Sequence, residues 1–106
     1  PSKKKGDIIT VKKGANNILV QPSDILWIAA EDYYSKLHTK DGDHLLRQPL
    51  KVLADRLPKE KFVQIHRSTI VNIDFVKEAN SKTIMLMDGT LRSVSRQGYK
   101  RFSEFI

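Results

Sequence analysis

Residues 62–76 read FVQIHRSTIVNIDFV, and few folds can hold such a run. Two β-branched, apolar stretches flank a polar knot, His66-Arg67-Ser68-Thr69, with Asn72 just beyond. β-Branched residues suit the pleated, half-buried surface of a sheet. The stretch therefore belongs inside a protein, yet it carries an arginine at its centre and no acid before Asp74. The pattern leaves two readings open: a strand that bulges at Arg67-Ser68-Thr69, or a break there between two strands. Either Arg67 snorkels to water over apolar neighbours, or the interruption lifts it clear of the fold and presents its guanidinium.

The rest of the chain repeats the strand-and-turn grammar. Asp7–Lys13 reads as a strand, Gly14-Ala15-Asn16-Asn17 as a turn, and Ile18–Gln21 as the returning strand. Ile25–Ala30 is apolar on consecutive positions, which suits a strand buried on both faces. Tyr33–Thr39 and His44–Arg47 flank Lys40-Asp41-Gly42-Asp43, and Asp-Gly is a strong hairpin signal. A turn centred on Asp41-Gly42 would set Thr39 opposite His44 and His38 opposite Leu45. Thr83–Met87, Asp88-Gly89 and Leu91–Val94 read as a second hairpin.

Two segments read as helices. Leu50, Leu53, Ala54 and Leu57 recur at helical spacing, with Pro49 in a first-turn position and Pro58 as the stop. Ser95 can cap a terminal helix over Arg96–Ile106, with Tyr99, Phe102 and Phe105 or Ile106 as its apolar stripe. The fold class is mainly β, with one short internal helix and a C-terminal helix.

A chain of 106 residues fits one domain. The start on Pro1 rather than Met predicts a C-terminal domain cut from a longer protein, with 1–6 a linker stub and 7–106 the domain. No cysteine occurs, which excludes a disulfide framework and any thiolate chemistry and fits a cytoplasmic setting. No apolar run approaches the roughly 20 residues of a membrane span. The formal charge is +7; Lys3, Lys4 and Lys5 supply three of these, leaving +4 on the remainder. Such a balance favours anionic partners.

Catalysis finds little to stand on. His38, His44 and His66 lack metal-ligand spacing, and Glu31-Asp32 are neighbours that a strand would point to opposite faces. No nucleophile elbow, dinucleotide fingerprint or phosphate-cradling loop is present. The chain reads as a non-enzyme with no cofactor or metal.

Nucleic-acid binding finds more. An arginine on a rigid β frame matches O6 and N7 of guanine with two parallel hydrogen bonds. Ser68 and Thr69 beside Arg67 can donate to phosphates or hold the loop. Ser95, Arg96 and Gln97 open a helix, where free N–H groups favour an anion. Arg96 is misplaced in a first turn unless something negative arrives, and Gln97 can read an adenine edge. Lys100 and Arg101, one turn on, read as ordinary solvated charges. Of Tyr33 and Tyr34, which an extended chain points to opposite faces, at least one should be exposed beside Ser35 and Lys36.

Together, DILWIAAEDYYSKLHTKDG, FVQIHRSTIVNIDFV and LMDGTLRSVSRQ resemble, in order and spacing, the LytTR DNA-binding domain of bacterial response regulators. The resemblance runs from about Ile8 to Phe102 and implies more than periodicity does. It implies an elongated arrangement of small antiparallel sheets without a helix-turn-helix. It also implies loops that enter successive major grooves of double-stranded DNA, two copies on paired direct repeats, and a receiver or membrane sensor domain upstream. The family's base contacts fall on Ser35 with Lys36 beside it, on Arg67, and on Gln97 following Ser95-Arg96. With Tyr34 and Ser68, these form the candidate interface, and His66 and Asn72 are expected to tie down the Arg67 loop. Ala29 stands where many members have an acid, and Asp32-Tyr33 where many have Gly-Asn. A basic β-rich module that binds an acidic protein is the rival reading. Sequence-indifferent single-strand binding needs more exposed aromatics than this chain offers.

Overall fold

Burial of Ile25–Ala29 on every position organises the molecule, because such a strand must be covered on both sides. The computed structural model describes residues 8–106, so the linker reading of 1–6 lies outside the described residues. The strands are β1 (Ile9–Lys13), β2 (Asn16–Val20), β3 (Ile25–Glu31), β4 (Tyr34–Thr39), β5 (Gly42–Leu46), β6 (Phe62–His66), β7 (Thr69–Asn72), β8 (Val76–Ala79), β9 (Thr83–Leu86) and β10 (Leu91–Ser93). The helices are α1 (Leu50–Arg56) and α2 (Arg96–Ser103). A five-stranded sheet, ordered β5-β4-β3-β7-β6, holds β3 at its centre. The β1-β2 hairpin and the three-stranded β10-β9-β8 sheet are separate, and all strand pairs are antiparallel.

Two apolar clusters lie on opposite faces of the central sheet. Ile28, Leu37 and Ile70 pack with β1, β2 and α1, whereas Trp27, Val63, Ile65 and Val71 pack with Ile84, Leu86 and Phe102. An irregularity between Ile25 and Trp27 shifts the register there, so Ile25 shares the cluster of Ile28 while Leu26 and Trp27 face the other way. The principal extents, 42 × 30 × 23 Å, give the expected elongated outline.

Local details settle one open point of the sequence reading and differ from it in three places. The polar knot is not a bulge in a continuous strand. His66 pairs with Thr69, so Arg67 and Ser68 form a two-residue turn that reverses the chain. The β4–β5 turn sits on Lys40-Asp41, with Thr39 opposite Gly42 and His38 opposite Asp43. Thr39 Oγ1 bonds the Gly42 carbonyl at 2.6 Å and closes that tighter turn, while Gly42 accepts the φ of +130° it requires. Pro49 lies just outside α1 as its N-terminal cap residue. The last helix stops at Ser103, leaving Ile106 exposed, although Ser95 caps it as expected by accepting from the Gly98 N–H at 2.9 Å.

One titrating group is built into this frame. The His38 ring stacks on Trp27 with centroids 3.8 Å apart and planes 7° from parallel, and its Nδ1 lies 3.0 Å from Asp43 Oδ1. Burial pulls its pKa below the ordinary 6.5; Asp43 and Glu31 oppose this and Lys36 assists it. Arg92 lies over the same indole, 4.7 Å from its centre. As pH falls below 6.5 the unfolded chain takes up this proton first, so stability is full above that pH and declines below it. The melting temperature should therefore drop between about pH 7 and about pH 5, and His38→Phe, which keeps the stack, should flatten the profile. Identical profiles for the two proteins would refute the assignment to His38.

Candidate nucleic-acid interface

The Arg67 turn is held from within. The Ser68 N–H donates to His66 Nδ1 at 3.2 Å, and the Ser68 hydroxyl lies 2.9 Å from the same nitrogen. Across the sheet, the Ala30 N–H donates to the Ser68 carbonyl at 2.9 Å, which fastens the turn to β3. With its backbone so held, Arg67 is exposed, and none of the ion pairs among the described residues involves it. Asp74, the next acid along the chain, pairs instead with Lys61 at 3.0 Å. His66 does tie the loop down, as expected. Asn72 works at the other end of the hairpin, where its amide donates to the Ile25 carbonyl at 2.9 Å and its carbonyl oxygen accepts from the Asp74 N–H.

Helix α2 reaches the same place through an irregularity of β6. Pairing skips from Gln64–Ile70 to His66–Thr69, leaving Ile65 as the extra residue. The Ile65 carbonyl accepts from the Ser95 N–H at 2.9 Å and from its hydroxyl at 3.3 Å. That contact seats the start of α2 directly beside the turn. The helix backbone comes so close at Gly98 that an added Cβ would lie 1.8 Å from the Ile65 carbonyl oxygen. Arg96 and Gln97 are exposed at the first turn, which has no acid.

Between the turn and the helix lies an open cleft of about 320 Å³, lined by Gln64, His66, Arg67, Ser95, Gln97 and Arg101. Among the described residues, two guanidinium groups and no carboxylate border it, an arrangement that favours an anion. Gln64 and Arg101 were not among the sequence candidates. Arg101 is exposed, as expected of a solvated charge, but it also donates from Nη1 to the Gln64 carbonyl at 3.1 Å. Its helical spacing of four from Gln97 could have revealed it.

The third candidate segment lies at the same end of the sheet. Ala30 pairs with Ser35, and the β3–β4 turn at Asp32-Tyr33 stands next to the Ser68 bond. Tyr33 is 82% exposed and Tyr34 is exposed too, so neither is a core residue. Ser35 departs from expectation: it is 0% exposed, and its hydroxyl donates to the Gln48 carbonyl at 2.7 Å. It secures the chain after β5 and presents nothing to solvent, because it shares a sheet face with buried Leu37. Lys36 faces outward between Glu31 at 4.0 Å and Asp43 at 3.9 Å. Arg47, another residue missed earlier, lies 5.8 Å over the Tyr34 ring and adds a cation to this end. Adjacent strands lie roughly 5 Å apart, so β4 to β6 spans roughly 15 Å, with α2 beyond. Among the described residues, no group of three or more His, Cys, Asp or Glu converges as a metal site would require, and no helix is long and apolar enough to cross a membrane.

Comparison with known proteins finds the same family and the same fold elsewhere. A family model described as the LytTr DNA-binding domain matches residues 15–106. The sensory transduction protein LytT of Bacillus subtilis is 25% identical over 103 residues, covering 92% of this chain and 43% of that protein. A response regulatory protein of Vibrio cholerae is 36% identical over 69 residues, 61% of this chain and 26% of its own length. The chain thus spans less than half the length of these curated relatives. A LytTr DNA-binding domain of known structure from Bacillus cereus superposes with a TM-score of 0.81 at 23% identity, over 93% of this chain and 95% of the other. That superposition shows a shared fold.

Proposed function

The chain belongs to the LytTR family of DNA-binding domains, and from that premise we propose that it reads double-stranded DNA as the effector end of a bacterial transcriptional response regulator. In the whole protein a receiver domain would precede it, and the regulator would act in the cytoplasm. The Arg67 turn and the start of α2 enter the major groove, and Tyr34, Lys36 and Arg47 meet a neighbouring stretch. Arg67 and Gln97 read base edges; Ser68 and Ser95 chiefly hold these readers in place. Two copies occupy like-oriented repeats about one helical turn apart.

The observation that supports this most directly is the convergence of three sequence-distant segments. Arg67, Arg96-Gln97 and Tyr34-Lys36 stand at one end of the central sheet, and no carboxylate among the described residues lines the cleft between the first two. On this reading the counter-charge that Arg67 lacks among the described residues is supplied by DNA.

Selection of the domain on random duplex DNA at about 0.15 M salt tests the proposal. Enrichment of a pair of like-oriented short motifs is the expected result. Recovery of unenriched DNA, with binding that vanishes as salt rises, would overturn sequence-specific reading and favour an acidic protein partner.

Asp32 offers a second check. It sits at φ +54° in the exposed β3–β4 turn, a conformation that asparagine tolerates equally well, and its charge opposes an approaching phosphate. Asp32→Asn should tighten DNA binding by about 2- to 5-fold at low salt, with the gain shrinking as salt screens the charge. Unchanged affinity at every salt concentration would place this turn away from the backbone.

A further inference from the structure

We propose that Arg101 is a phosphate-holding residue of the same interface, an inference that rests on the DNA-binding reading above. The cleft beside Arg67 has Arg101 as its second cationic wall. Gln97 and Arg101 are four residues apart on α2 and so share a helix face. Four residues advance a helix by about 6 Å. A helix that offers Gln97 to base edges therefore carries Arg101 outward toward the rim of the groove, where the phosphates stand.

The side chain is prepared for that task. One N–H of its Nη1 is committed to the Gln64 carbonyl at 3.1 Å, which fixes the plane of the guanidinium. A guanidinium has five N–H donors, so four remain for phosphate oxygens. The same residue also holds the turn that carries the reader, since the Gln64 side-chain amide donates to the Arg67 carbonyl at 3.4 Å. A cation in the last turn of a helix is favourable by itself. That effect explains a positive charge at this position; it does not explain a charge turned onto β6 and into a cleft with another arginine. Lys100 supplies the comparison, because it lies in the same turn and does not line the cleft.

The test compares Arg101→Met, Arg101→Lys and Lys100→Met with the unaltered domain. Each is titrated with the selected duplex and with a scrambled duplex between about 50 and 300 mM salt, and thermal unfolding checks each fold. Arg101→Met should weaken binding to both duplexes by roughly 5- to 20-fold and reduce the salt slope by about one, with their affinity ratio unchanged. Arg101→Lys should restore the slope, and Lys100→Met should lower it less. A folded Arg101→Met protein that keeps the full slope would overturn the proposal. So would a loss confined to the selected duplex, because Arg101 would then act only through the position of Arg67. Failure of the unaltered domain to bind either duplex would overturn the DNA-binding reading itself, an outcome distinct from both.

Discussion

Gly98→Ala should lower the stability of the domain by about 3 kcal/mol or more and its melting temperature by roughly 15 °C. Helix propensity by itself gives the opposite sign, since alanine is favoured over glycine within a helix by about 1 kcal/mol. Packing decides the matter. The new methyl would lie 1.8 Å from the Ile65 oxygen, 2.3 Å from its carbonyl carbon and 2.7 Å from its Cα. These are backbone atoms of a residue that is itself fully buried, so no flexible side chain can swing aside. The helix must back away. It then gives up the 2.9 Å bond from Ser95 to the Ile65 carbonyl, the Arg101 contact with Gln64, and part of the burial of Phe102, which is 2% exposed. DNA binding should fall with it, because Gln97 and Arg101 retreat from Arg67. Gly14→Ala makes the useful control: its Cβ meets nothing within 4 Å, and only the φ of +62° opposes it, at a cost of about 1 kcal/mol. Equal and small losses in the two variants, measured by denaturant unfolding, would refute the packing argument.

Arg67→Ala should leave stability nearly unchanged and cost roughly 1–3 kcal/mol of binding to the selected duplex. The turn is held by backbone and His66 contacts that do not involve the guanidinium, and the side chain is exposed. Removing it therefore subtracts a contact without moving the frame. If Arg67 reads a base, the loss is concentrated on the selected sequence and preference relaxes at one position. Equal loss on selected and scrambled DNA, with a shallower salt slope, would make it a phosphate contact and exchange its role with the one proposed for Arg101.

The sequence made the elements of this fold legible because their causes are local. Alternation and β-branching marked the strands, Asp41-Gly42 and Asp88-Gly89 marked two reversals, and Ser95 marked the start of α2. The polar knot was legible as an interruption, because an arginine lacking an acid could not continue a buried strand. Its form was not: bulge and two-residue turn differ only in whether β7 runs on or folds back beside β6, and the pairing of His66 with Thr69 settles that. Ser35 misled for a related reason. Its neighbour Tyr34 is exposed and Lys36 half-buried, but strand parity turns Ser35 to the face of Leu37, and that parity matters only once a core lies beneath it.

What the sequence determined by itself was most of the strand content, the approximate places of the two Asp-Gly hairpins and the residue types available to meet an anion. Only the tertiary structure decided which of them stand together. Gly98 reads in the sequence as a weak spot in a helix, and Arg101 as a solvated charge. Both acquire their meaning from Gln64 and Ile65, more than 30 positions earlier, because the extra residue in β6 turns a carbonyl outward to receive the helix. Contacts between backbones so far apart in the chain leave no local periodicity to read, since either partner's pattern is complete without the other.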